Sequence, residues 1–204
     1  MKKYGKPGGI ILLGGKSQRM GTDKFLLPFF NSSLAEILIR ELEKATEEVI
    51  LITNEPEKLS FLPHNKFTDI YQTSSALSGL HSGLTHSRYE TNFVLACDLP
   101  LFDARIVPYL AGYLNDNVFA VVPETAKGYE PLCALYSKKC LPPIEKMFSD
   151  NDYSIRSLFD RTPYVPVPQK AIEGKTHPDV FYNMNTPEEY ETALIKFAPV
   201  NKKS

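Results

Sequence analysis

The sequence predicts an α/β fold: a single three-layer α/β/α domain around a mostly parallel sheet. Apolar runs of strand length recur at 10–13, 49–53 and 92–97, without the polar alternation of a half-exposed sheet. Amphipathic stretches of helical period separate them, so both sheet faces are expected to be covered. Each run ends abruptly in Gly, Asn or Asp, at the strand ends where ligands sit in such sheets.

The elements follow in order. Ile10-Ile11-Leu12-Leu13 is the first strand, and a glycine-rich loop follows it. Ser33 and Glu36 form a capping box, and Leu34, Ile37, Leu38, Leu42 and Ala45 make one apolar helical face. Residues 49–53 are a fully apolar second strand, ended by Asn54-Glu55-Pro56. A short strand is expected around 67–69 and a helix over 77–88. Residues 92–97 form the next buried strand, stopped by Asp98-Leu99-Pro100. Asp103 is expected to cap a helix toward Leu114, with Pro108 loosening its first turn. Further strands are predicted at 118–122 and 132–136, and helices at 141–148 and 154–159. Residues 162–177 carry Pro163, Pro166, Pro168 and Gly174 and read as loop. The last helix opens at Thr186-Pro187-Glu188-Glu189, with an N-cap, proline in the first turn and a capping-box Glu.

Composition narrows the function classes. The chain has 204 residues, 43% hydrophobic and 23% charged, with net charge −1. That is enough for one real core, and no basic excess points to nucleic acid. No apolar run approaches a membrane span. The N-terminal lysines and apolar stretch are broken by Gly and Pro, which argues against a signal peptide. Cys97, Cys133 and Cys140 are odd in number and lack metal-ligand spacing, so they read as core residues in a reducing cytoplasm.

The segment from Leu12 to Lys24, LLGGKSQRMGTDK, is the most informative. It gathers three glycines, three cations and hydroxyl residues after a buried strand. Freed backbone amides with Lys and Arg suit a polyphosphate. The spacing is neither a P-loop nor a dinucleotide fingerprint: five residues separate Gly15 from Gly21, and Thr22 follows. Lys24 and Arg19 can neutralise charge on a leaving pyrophosphate, or be solvated surface charges; Lys16 reads as peripheral. Asp98, directly after a buried strand, can hold Mg²⁺ together with phosphate oxygens, or cap a turn. Asn54 and Asp69 can read a base or ribose, guanine offering two N–H donors to a carboxylate, or form turns. Ser78-Gly79-Leu80 and Gly83 allow close backbone approach. Asn183 and Asn185 flank Met184 and point to one side of an extended segment, or make turn hydrogen bonds, the reading their residue type alone favours. The four histidines are scattered, and no nucleophile elbow or supported Cys–His pair suggests covalent catalysis.

The glycine loop resembles the signature of the Gly-rich nucleotidyltransferases, Leu-x-Gly-Gly-x-Ser-x-Arg-Met-Gly-x-Asp-Lys. Within them the chain resembles the molybdenum cofactor guanylyltransferases over nearly its whole length. Asp69 with Ser75-Ala76-Leu77-Ser78-Gly79-Leu80, Ala96-Cys97-Asp98-Leu99-Pro100, Glu130-Pro131-Leu132-Cys133-Ala134-Leu135-Tyr136 and Asn183-Met184-Asn185-Thr186-Pro187-Glu188 are similar to further family segments. The resemblance implies a Rossmann-like, nucleotide-diphospho-sugar transferase-like fold over residues 1–204. Its nucleotide part would span about 8–100 and its acceptor part about 101–197. It implies transfer of GMP from GTP to the terminal phosphate of molybdopterin, with Mg²⁺ as cofactor. Leu12, Leu13, Gly14, Gly15, Lys24, Asn54, Asp69 and Asp98 would bind the nucleotide, and Asp98 also the metal. Lys24, Arg19 and Asp98 would carry catalysis, and Asn183 and Asn185 would lie near the acceptor. Other cofactor-biosynthesis proteins and molybdoenzyme chaperones are the partners this implies, with neither nucleic acid nor membrane. Two positions depart from the pattern: Leu13 replaces the usual Ala, and Ser75-Ala76 the usual Gly-Pro. A cytidylyltransferase of the same fold and a non-catalytic GTP-binding regulator are the alternatives.

Overall fold

The computed structural model describes residues 5–14, 23–73 and 75–197. Its strands are β1 (Gly8–Leu12), β2 (Pro28–Phe29), β3 (Ser32–Ser33), β4 (Val49–Ile52), β5 (Lys66–Phe67), β6 (Thr91–Ala96), β7 (Ala120–Thr125), β8 (Gly128–Tyr129), β9 (Cys133–Ser137) and β10 (Tyr164–Pro168). Its α-helices are α1 (Leu34–Glu43), α2 (Ala76–His86), α3 (Ile106–Ala111), α4 (Leu141–Ser149), α5 (Gln169–Ile172) and α6 (Pro187–Phe197). The main sheet runs β10-β7-β9-β6-β1-β4-β5, and β8 adds to β7. Pairs β1–β4, β1–β6, β4–β5 and β7–β10 are parallel, while β9 runs antiparallel between β6 and β7. The expected mostly parallel sheet is therefore present, with β9 reversed inside it.

The continuous apolar runs are explained by burial on both faces. Ile11, Leu51, Phe93, Leu95, Val121 and Leu135 face one core with α1, α3, α5 and α6. Ile10, Leu12, Ile50, Val94, Ala120 and Ala134 face the other with α2 and α4. Neighbouring residues on one strand thus serve opposite layers, which gives three layers. Helix α2 lies close on β1 because Gly83 faces Ile10: a Cβ there would stand 2.5 Å from the Ile10 Cγ2.

Helix α1 starts as the sequence predicts. Ser33 Oγ accepts the Glu36 N–H at 3.3 Å, and Glu36 accepts the Ser33 N–H at 2.7 Å. Three expectations change. The proline-rich 162–177 stretch contains strand β10 and helix α5, because an edge strand tolerates Pro166 and Pro168. The helix expected after Asp103 is only Ile106–Ala111, and Asp103 does not cap it. Instead Asp103 accepts the Arg105 N–H, pairs with the Arg105 guanidinium and accepts the His177 N–H at 2.7 Å. The stretch at 154–159 is a 3-10 helix, Ile155–Asp160, rather than an α-helix. All three cysteines are buried and free, as expected of core residues.

Candidate active site

Four parallel strands deliver the site, and each places its key residue two positions beyond its last strand residue. Gly14 follows β1, Asn54 follows β4, Asp69 follows β5 and Asp98 follows β6. Adjacent strand ends are tied to each other: Leu13 N–H donates to Ile52 O at 2.8 Å, and Thr53 N–H to Phe67 O at 2.9 Å. The side chains therefore stand on a rigid rim.

At the β4–β5 end, Asn54 and Asp69 hold each other reciprocally. Asn54 Nδ2 donates to Asp69 Oδ2 at 2.9 Å, and Asp69 N–H donates to Asn54 Oδ1 at 3.0 Å. The second carboxylate oxygen, Asp69 Oδ1, is buried and has no hydrogen-bond partner among the described residues. Burial pushes the Asp69 carboxyl above its ordinary range, against the pull of Asn54. A fixed, unpaired oxygen of this kind is set up for a ligand N–H. Beside it, Ser75 caps α2 by accepting the Ser78 N–H at 3.2 Å. At the position where the family pattern has Gly-Pro, Ser75 is the N-cap and Ala76 the first helical residue.

At the β1 end, Gly14 is exposed, and a Cβ built on it meets no atom of the described residues within 4 Å. Leu13 is fully buried and packs in the α1-side core, so its bulk enters the core. Leu12 is 9% exposed and lies in the opposite core, against Gly79. Gly15 and Arg19 lie outside the described residues. Lys24 begins a 3-10 turn, Lys24–Leu26, anchored by buried Phe25. Its neighbour Asp23 is bonded to Lys58 at 2.8 Å.

The C-terminal segment closes the site from the far end of the chain. Lys24 Nζ donates to Asn185 Oδ1 at 2.7 Å, across 161 residues. The Met184 N–H donates to the Asp98 carbonyl at 2.8 Å, with the Met184 side chain fully buried. Glu189 accepts the N–H groups of Asn185 and Thr186 at 2.6 and 3.0 Å, which fixes Asn185 to the start of α6.

Asp98 and Asn183 line a cavity of about 300 Å³ together with Lys127, Tyr129, Glu130 and Arg156. The Asp98 carboxyl is raised by burial; the Lys24 charge and its own backbone N–H pull it back. Glu130 is also raised, first by burial and further by the Asp98 charge, against its hydrogen bond from Thr125. Burial pushes the adjacent Cys97 thiol up to about 12, so it stays protonated and non-nucleophilic. The structure thus brings Gly14, Lys24, Asp98, Asn183 and Asn185 together, with the Asn54–Asp69 pair farther along the same rim. Sequence reasoning missed Lys127 and Arg156, and quoted Glu130 only as a strand residue. Lys127 sits in a two-residue turn and Arg156 in a short 3-10 helix, and neither pattern differs from a surface charge.

A family model described as a MobA-like NTP transferase domain matches residues 9–167. A probable molybdenum cofactor guanylyltransferase of Clostridium perfringens is 34% identical over 94% of this chain and 98% of its own. A molybdenum cofactor guanylyltransferase of Desulfosudis oleivorans is 30% identical over 91% and 93%. The crystal structure of molybdopterin-guanine dinucleotide biosynthesis protein A from Archaeoglobus fulgidus superposes with a TM-score of 0.81, at 21% identity over 93% and 97% of the two chains.

Proposed function

We infer the activity from one premise: this chain belongs to the MobA-like NTP transferase family, and to its molybdenum cofactor guanylyltransferases. It is a nucleotidyltransferase that moves GMP from GTP to the terminal phosphate of molybdopterin and releases pyrophosphate. The observation that carries the guanine assignment is Asp69, one oxygen held by Asn54 and the other buried and unpartnered. Guanine presents two adjacent N–H donors to such a carboxylate. Cytosine presents a donor beside a ring acceptor, which a carboxylate repels.

Gly14 and Gly15 take the phosphates, Leu12 and Leu13 contact the nucleotide at the β1 end, and Lys24 and Arg19 bear on the pyrophosphate. Asp98 suits Mg²⁺: its carboxylate lines the cavity, and among the described residues it accepts a hydrogen bond only from its own backbone N–H. The described residues contain no cluster of three or more His, Cys, Asp or Glu able to hold a metal, so phosphate oxygens and water would complete the coordination, as Mg²⁺ prefers. Bound there, the ion supplies charge neutralisation and orientation. Asn183 and Asn185 orient the acceptor. Its phosphate oxygen forms a bond to the α-phosphorus of GTP, and the bond from that phosphorus to the bridging oxygen breaks. The electron pair leaves with pyrophosphate. The attacking phosphate is already an anion, so no side chain must remove a proton. Positioning and charge neutralisation do the work.

The division of labour follows the chain, with about 8–100 serving the nucleotide and about 101–197 the acceptor. No described helix is long and apolar enough to cross a membrane. A cytoplasmic enzyme that hands its product to cofactor-biosynthesis proteins and molybdoenzyme chaperones fits this chemistry. The test supplies molybdopterin, Mg²⁺ and either GTP or CTP labelled at the α-phosphorus. Labelled dinucleotide from GTP is expected. Transfer from CTP alone rejects the guanine assignment, and GTP binding without pyrophosphate release points to a regulator.

A further inference from the structure

Two cations at the mouth of the Asp98 cavity have no place in the nucleotide machinery. Lys127 stands in the turn between β7 and β8, whose shape is held by Thr125. Its Oγ1 accepts the Lys127 N–H at 3.2 Å and donates to Gly128 O at 3.0 Å. Arg156 comes from the 3-10 helix Ile155–Asp160. Gly128 has φ +113°, and a Cβ built there would stand 3.9 Å from Arg156 Nη2, so turn and guanidinium lie together. Both cations are exposed, both line the cavity with Asp98 and Asn183, and both charges act on Glu130.

Neither cation makes an ion pair or a side-chain hydrogen bond among the described residues. Every other described arginine has a partner: Arg40 bonds Ser32, Arg88 pairs with Glu48, Arg105 with Asp103, and Arg161 with Asp150 and Asp152. A guanidinium and an ammonium left open at one end of a cavity match a phosphate monoester, the first by its planar fork and the second as a point charge. Asp98 lines that same cavity, which places such a phosphate beside the residue proposed to hold the metal.

We propose that Lys127 and Arg156 bind the terminal phosphate of the acceptor and hold it for attack on the α-phosphorus of GTP. This rests on the reading of a phosphorylated acceptor given above. The two residues are positioning groups, and neither gives or takes a proton.

The test compares wild type, K127A/R156A and the charge-conserving K127R/R156K. Molybdopterin is titrated calorimetrically onto each protein without GTP, and KM values for molybdopterin and GTP are measured separately. In K127A/R156A the Kd and KM for molybdopterin should rise roughly ten- to a hundredfold, the scale for losing hydrogen bonds to a charged group. The KM for GTP should stay within about twofold, the melting temperature should hold, and K127R/R156K should recover part of the loss, because it keeps both charges but moves the planar fork. An unchanged Kd for molybdopterin overturns the proposal, as does a rise confined to the KM for GTP. A wild type that binds molybdopterin but transfers no GMP removes the functional reading, while the titration still decides the role of the two cations. A wild type that does not bind molybdopterin overturns both.

Discussion

Asp98 and Glu130 line one cavity, and each is held above the ordinary carboxylate range by burial. The folded chain therefore keeps protons that the unfolded chain has lost, and stability falls as pH rises from the ordinary carboxylate values to the raised ones. Above that window the penalty is constant; below it, it vanishes. Asp98→Asn removes the charge that burial disfavours. It should melt higher than wild type at neutral pH, with the difference disappearing near about pH 3. The same variant should turn over at least about a hundredfold more slowly, the scale for losing a key electrostatic group. Calorimetric melts across pH beside labelled-GTP assays check both halves; near-normal turnover would remove Asp98 from the metal. Asp69→Asn leaves one amide oxygen to accept from Asn54 and puts an NH2 donor where the second carboxylate oxygen stood, facing the N–H groups of guanine. Its KM for GTP should rise about tenfold or more and its preference over CTP should narrow, read from competition between the two nucleotides.

At the scale of elements, helix α2 carries the site by lying flat on β1. Gly83 permits that approach against Ile10, whose branched side chain has little room to give. Gly83→Ala should lower unfolding free energy by about 1–3 kcal/mol, the range for overpacking a core, measured by urea denaturation. The elements legible in the sequence were those with a strong local signal. The runs that became β1, β4 and β6 were continuous apolar segments, and α1 announced itself through Ser33 and Glu36. β10 was hidden because proline reads as loop, and only its place at the sheet edge makes proline acceptable. β2 and β3 are two residues each and form their own small sheet, too short for any period to show. The candidate site divides the same way. Gly14, Asn54, Asp69 and Asp98 were readable because each terminates a strand. Lys127 and Arg156 were not, because a turn and a 3-10 helix meet through tertiary packing alone.

Across the whole molecule, the 177–186 segment joins the two ends of the chain. It is pinned by Asp103 at His177, by the Asp98 carbonyl at Met184 and by Lys24 at Asn185. Beyond it, α6 packs Tyr190 and Phe197 edge-on against Phe29 near the start of the chain. Met184 is the apolar anchor of this strap, fully buried in the core that also holds Ile11 and Leu13. Met184→Ala should destabilise the fold by about 2–5 kcal/mol, as for other large-to-small core changes. It should also weaken molybdopterin binding more than GTP binding, because the strap carries Asn183 and Asn185; denaturation and the two titrations report this separately.

With the roles proposed for Lys24 and Asn185, the contact between them predicts that the two substrates are thermodynamically linked. A phosphate arriving at Lys24 competes with the amide oxygen of Asn185, and Asn185 released from Lys24 becomes available to the acceptor. By reciprocity, the factor by which GTP tightens molybdopterin must equal the factor by which molybdopterin tightens GTP. Asn185→Ala should bring that shared factor close to one whichever substrate is titrated first. A single hydrogen bond spanning 161 residues would then couple two binding events in free energy.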